Sequence, residues 1–157
     1  GEHSGQTLGI ARSDELAGPL TLALTMLNWD EAGFTARFDS RTSLDATEEN
    51  TLTVATEALS AHGIRLEGHM DPPHHVPADS PFVQTLLRCY EQYTGEVGHC
   101  LSTGGGTYVH GIPGGVAFGT AMPGFQSGLH GPDERVSIAD LLTSCKIFTQ
   151  AIPDLCV

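Results

Sequence analysis

Basic residues are scarce in this 157-residue sequence: seven Lys and Arg, with Lys146 the single lysine, face 19 acids for a formal net charge of −12. A field of that sign repels phosphate backbones and anionic lipid head groups, so neither nucleic acid nor a membrane is expected as a partner. No apolar run approaches the roughly 18 residues of a membrane span. The start, Gly1-Glu2-His3-Ser4-Gly5, has neither the basic flank nor the apolar stretch of a signal peptide. A cytoplasmic setting is therefore expected. Cysteine is also sparse: Cys89, Cys100, Cys145 and Cys156 form no C-x-x-C pair and cannot build a disulfide scaffold. Buried free thiols are the expected state. Charged residues make up only 17% of the chain, and with 19 Gly and 9 Pro this excludes a coiled coil, a collagen-like repeat and a highly charged disordered tail. What remains is an ordinary globular composition, 39% hydrophobic, enough for one compact domain or two small lobes.

The periodic segments place elements along the chain. Residues 1–18 are Gly- and Ser-rich without a period and read as a loop or frayed lead-in. Leu20, Leu22, Leu24 and Met26 alternate with polar or small residues, as do Phe34, Ala36 and Phe38, and a turn at residues 28–33 joins the two strands as a hairpin. Asp45 and Glu48 have the spacing of a helix cap with a first-turn acid; Leu52, Ala55, Leu59 and His62 share a face, and Gly63 closes the helix. Ile64, Leu66 and Met70 alternate again, which completes a β-β-α-β unit over residues 20–70. Three prolines in residues 71–77 make a stiff hinge. Beyond it, Ser80-Pro81 opens a helix through Val83, Leu86, Leu87 and Tyr90 that stops at Gly95. Short strands are expected at 97–101 and 115–119, and Ser137 with Asp140 starts a last helix through Leu141, Leu142, Cys145, Phe148 and Ile152.

Several motifs invite chemistry. Gly104, Gly105, Gly106 and Thr107 form a loop whose amides can approach a ligand closely, but no Gly-Lys-Ser or Gly-Lys-Thr follows, so it is not a nucleotide P-loop; alone it reads as a tight turn. Gly124-Phe-Gln-Ser127-Gly128 misses the serine-hydrolase elbow. His74 and His75, adjacent in an extended proline-locked run, point to opposite sides, so one metal would take at most one of them. A pairing of Cys100 with His99 or His110 is disfavoured by the buried strand expected around that thiol. His130 stands on a Gly/Pro-stiffened loop before a capped helix with Asp133 and Glu134 close behind. A metal-ligating imidazole needs such rigid presentation, but from spacing alone the surface-loop histidine is the favoured reading.

Residues 72–87 (PPHHVPADSPFVQTLL), 90–95 (YEQYTG), 104–119 (GGGTYVHGIPGGVAFG) and 130–142 (HGPDERVSIADLL) together resemble the C-terminal part of a zinc-dependent dipeptidase. The family is the co-catalytic zinc group of aminoacylases, carnosinases, acetylornithine deacetylases and succinyl-diaminopimelate desuccinylases, and the similarity is greatest to its bacterial Xaa-His dipeptidases. The resemblance implies an α/β (α+β) fold in which residues 1–70 form a partial lid lobe and residues 71–157 the C-terminal part of a catalytic lobe. It implies two zinc ions per complete active site, with His130 as the last zinc ligand, Arg41 as the lid arginine that holds the substrate carboxylate, and the 104–107 loop lining the same pocket. The family's Arg-Tyr-Pro run reads Arg41-Thr42-Ser43 here, and His110 replaces an arginine often found after the glycine loop.

Every other family ligand and the Glu general base correspond to positions upstream of this segment, and Glu48-Glu49, in a helical first turn, is no substitute. The expected activity is hydrolysis of small dipeptides by the complete enzyme. The expected partners are a dipeptide, the N-terminal part of the same enzyme and, through the lid, a second copy. The alternative is a non-catalytic lid, dimerisation or binding module.

Overall fold

The computed structural model describes residues 2–119 and 122–156. It is a mixed α/β structure with two small antiparallel sheets and three helices. The chain divides into two compact units, Gly1–His75 with Ser102–Gly106, and Val76–Leu101 with Thr107–Val157.

In the first unit, β1 (Ser13–Asp14) pairs with β2 (Gly18–Pro19), and β3 (Thr21–Asp30) with β4 (Gly33–Arg41). The expected frayed lead-in is instead built into the fold. Ile10 and Leu20 are buried with Ala55, and Leu8, Leu22, Val54 and Leu66 pack around them. Three apolar positions spaced without a period can still converge when turns bring them together, which periodicity alone cannot register. The long hairpin turns on Glu31 and Ala32, where Asp30 Oδ1 accepts from the Ala32 amide at 2.8 Å.

A bulge at Thr25 decides the faces of this hairpin. Leu24 pairs with Phe38 and Met26 with Arg37, so one extra residue sits between them, and the Thr25 hydroxyl donates to the Arg37 carbonyl at 3.1 Å. The extra residue shifts the alternation: Met26 moves to the face of Arg37, while Leu27 and Trp29, opposite Ala36 and Phe34, join Leu24 and Phe38. On this face Leu24, Leu27, Trp29, Phe34 and Phe38 are all more than half exposed.

Thr47, not Asp45, caps the next helical stretch. Its hydroxyl accepts from the Asn50 amide at 3.2 Å and its amide donates to Asn50 Oδ1 at 2.8 Å. The turns over Glu48–Thr53 are π-helical and lead into α1 (Val54–Ser60), after which Gly63, at φ +73°, reverses the chain. Asp45 is otherwise engaged, accepting from the Ser43 hydroxyl and pairing with Arg12 at 3.5 Å. The third strand of the expected β-β-α-β unit does not form: 64–70 is irregular, although Ile64, Leu66 and Met70 are half-buried and Arg65 and Glu67 exposed as the alternation requires. Alternation reports a buried edge, whereas a strand also needs a hydrogen-bonding neighbour, and among the described residues β3 and β4 pair only with each other.

The second unit is a helix pair. α2 (Pro81–Thr94) starts at Ser80, whose Oγ accepts from the Val83 amide at 3.3 Å, and ends at left-handed Gly95. α3 (Ile138–Leu155) starts at Ser137 in the same way. Leu86 and Cys89 of α2 meet Ile147 and Ala151 of α3, with Val116, Phe118 and Met122 against the cluster, and Phe118 meets Phe148 edge-on at 5.4 Å. Among the described residues, 97–101 and 115–119 are not strands. The apolar residues of α3 spread over a wide arc, so its sequence does not by itself say which side is inward. Ile147 and Ala151 pack against α2 and Ser144 is buried, leaving Leu141, Leu142 and Ile152 exposed. Of the four thiols only Cys89 is buried; Cys100, Cys145 and Cys156 are exposed, contrary to expectation, because each lies on an irregular segment, an outer helix face or a helix end. No described helix is long and apolar enough to cross a membrane.

Candidate functional site

Arg41 closes β4, paired with Thr21, where the ladder ends and the chain leaves the sheet. That exit is held by Asp14. Its Oδ1 accepts from the amides of Leu16 and Ala17, each at 2.7 Å, and its Oδ2 reaches across to the Leu44 amide at 2.6 Å. The Ala17 and Leu44 amides foremost, then Leu16 and the nearby charge of His75, hold the Asp14 carboxyl below its ordinary range. Arg12 adds bonds to the carbonyls of Asp45 and Asn50, each at 3.4 Å. Ser43, fully buried, sits between these anchors. Asp14 and Arg12 thus fix the segment that presents Arg41, and sequence reasoning passed over both as lead-in residues. The one available signal was Asp14 followed by Gly18-Pro19, a turn with a carboxylate at its start.

The Arg41 side chain is exposed, and among the described residues its guanidinium donates through Nη1 only to the neighbouring Ser40 carbonyl, at 3.4 Å. A planar fork of donors at the end of a strand, with its N–H groups largely uncommitted, can bind both oxygens of a carboxylate. Its aliphatic stem runs beside Ser102–Gly106, which belongs to the same unit. A Cβ built on Gly104 would lie 3.2 Å from Arg41 Cγ, 3.5 Å from Cβ and 3.6 Å from Cδ. The loop is pinned by the Gly105 amide, which donates to Thr103 Oγ1 at 3.1 Å. Arg41 and the glycine loop, far apart in sequence, are therefore neighbours. Thr107, at the start of the second stretch of the other unit, is half-buried, and its carbonyl accepts from the His110 amide at 3.2 Å.

His130 lies in the second unit on a loop closed by two backbone bonds, from the Gly131 amide to the Gly128 carbonyl and from the Arg135 amide to the Ser127 carbonyl, both 2.8 Å. Its imidazole is exposed, and both His130 (φ 61°) and Asp133 (φ 60°) occupy the left-handed region. Two non-glycine residues in that region within one short loop store strain of about 1–3 kcal/mol each, which the surrounding structure must offset. Among the described residues, no group of three or more His, Cys, Asp or Glu is placed to hold a metal ion. A single exposed imidazole can supply at most one ligand and does not make a metal site alone. His74 and His75 lie in an irregular stretch of the first unit, His74 half-buried and His75 exposed.

A family model described as peptidase family M20/M25/M40 matches residues 6–154. The chain belongs to that family. It is 36% identical over 156 residues to the "Putative dipeptidase YtjP" of Bacillus subtilis (strain 168), covering 99% of this chain and 33% of that protein. It is 33% identical over 153 residues to the Beta-Ala-Xaa dipeptidase of Lactobacillus delbrueckii subsp. lactis, covering 96% of this chain and 32% of that protein. This M20-family chain spans about a third of the length of the curated relatives it matches.

Proposed function

We propose that the chain is the C-terminal segment of a di-zinc dipeptidase, with residues 1–70 a partial lid and residues 71–157 the C-terminal part of the catalytic lobe. The observation that carries this reading is the peptidase-family match over residues 6–154, joined to similarity with two proteins named as dipeptidases. In the complete enzyme Arg41 binds the substrate's terminal carboxylate, residues 104–107 line the same pocket, and His130 offers a neutral imidazole to one zinc ion. The exposed guanidinium, bonded among the described residues only to the Ser40 carbonyl, and the exposed imidazole support these roles. The metal, when bound, supplies Lewis-acid polarisation of the scissile carbonyl and an acidified water. The general base and the remaining ligands belong to the upstream part of the same enzyme. The proposed setting is the cytoplasm, without nucleic-acid or membrane partners, a reading that the net charge of −12 supports, and the exposed apolar hairpin face supports a homodimer through the lid.

The test compares the complete protein with its His130→Ala variant. The variant loses at least one zinc equivalent by elemental analysis and nearly all dipeptide turnover, while its far-UV circular dichroism is unchanged; the 157-residue chain alone shows no chelator-sensitive turnover. Full zinc content with normal turnover in His130→Ala overturns the reading.

A further inference from the structure

We propose that Gly104 is the positioning residue for Arg41, setting where the guanidinium stands and with it the preference for substrates that end in a free carboxylate. The inference rests on the reading of Arg41 as a carboxylate clamp. The three consecutive glycines are not equivalent. A Cβ at Gly106 would meet nothing within 4 Å, and one at Gly105 would meet only Thr103 Oγ1, at 3.4 Å. At Gly104 the added carbon falls against three successive carbons of the Arg41 stem, the closest at 3.2 Å. Ordinary carbon–carbon contact lies at roughly 3.5–4.0 Å, so the stem would have to move.

None of these three glycines has a left-handed φ, so backbone freedom is not what Gly104 contributes. Its contribution is space. Arg41 has little else to hold it among the described residues: its one hydrogen bond there goes to the adjacent Ser40 carbonyl, and its side chain is exposed. The stem's direction is therefore set by the backbone that backs it. A fork that must meet two carboxylate oxygens tolerates little displacement, since bidentate geometry is lost before the charge attraction is. A methyl group at residue 104 should weaken recognition of the carboxylate without touching the reacting bond.

Two measurements test this. In the complete enzyme, kcat/KM is determined for a dipeptide and for its C-terminal amide. In Gly104→Ala the preference for the free carboxylate should fall roughly tenfold, through KM, and further in Gly104→Val; Arg41→Ala combined with Gly104→Ala should be no worse than Arg41→Ala alone. In the 157-residue chain, the Arg41 Nε–Hε resonance should shift in Gly104→Ala and stay in place in Gly106→Ala. If Arg41→Ala raises KM while Gly104→Ala changes neither the preference nor the resonance, the positioning role is refuted and the clamp survives. If Arg41→Ala leaves KM unchanged, the clamp reading fails, and the specificity role of Gly104 fails with it.

Discussion

Replacing Gly5 by alanine probes the part of the chain whose structure departs most from its sequence pattern. Gly5 is buried at φ +76°, and a Cβ there would lie 2.6 Å from Ile10 Cγ1, 3.2 Å from Ile10 Cδ1 and 3.1 Å from Leu20 Cδ2. Ile10 and Leu20 are 3% and 1% exposed, so neither can swing outward without opening the core of the first unit. The overlap of nearly 1 Å with Ile10 should cost about 1–3 kcal/mol as overpacking. Holding a Cβ-bearing residue in the left-handed region should add about 1 kcal/mol. A total of about 2–4 kcal/mol is expected. Gly63→Ala is the internal control, because Gly63 has φ +73° and its added methyl would meet nothing within 4 Å. It carries the backbone cost alone. Urea unfolding followed by far-UV circular dichroism reads both variants; with a slope of about 2 kcal/mol per molar, Gly5→Ala should move the midpoint down by about 1–2 M. A midpoint no lower than that of Gly63→Ala would show that residues 1–18 are not built into the core, and would return them to the status of a frayed lead-in.

Two further outcomes are expected. Asp14 has a depressed carboxyl pKa, so the stability it contributes is present above the ordinary value of about 3.9 and is lost as pH falls through its lower folded value. Asp14→Asn should lower the urea midpoint at pH 7 and flatten its decline on acidification. Some decline should remain, because Glu2, held at about 2 chiefly by the Ser4 hydroxyl and then by the amides of Ser4, Gln6 and Thr7, acts with the same sign; an unaltered acid profile in Asp14→Asn would refute the assignment. Cys100, Cys145 and Cys156 should react rapidly with a disulfide reagent at pH 8 and Cys89 at least about tenfold more slowly. Burial, with Asp154 accepting from its thiol at 3.6 Å, pushes the Cys89 pKa up and lowers its thiolate fraction. Four equal rates would contradict the packing of α2 on α3.

Local signals were legible where the physics is local. Ser80-Pro81 and Gly95 bracket α2, Ser137 opens α3, and Gly63 ends the first helical stretch, because caps and left-handed glycines act through bonds made within a few residues. The hairpin was legible for the same reason, but its faces were not. The bulge at Thr25 leaves no mark in composition, yet it sends Met26 to one side and Leu27 and Trp29 to the other. Residues 64–70, 97–101 and 115–119 carry strand-like patterns without forming strands, since a pattern can specify a buried edge and cannot supply the neighbour that pairs with it.

The candidate site divides along the same line. The motifs at residues 72–87, 90–95, 104–119 and 130–142 suggest the family relationship by residue identity alone, because side-chain chemistry and spacing are written in the chain. Which of those residues touch is a matter of three dimensions. That Gly104 backs the stem of Arg41, that Asp14 reaches Leu44 to anchor the segment after β4, and that His130 sits at positive φ were decided only by the folded backbone. Contacts between residues tens of positions apart depend on loop closure and packing, to which a single sequence, read by period and composition, gives no access.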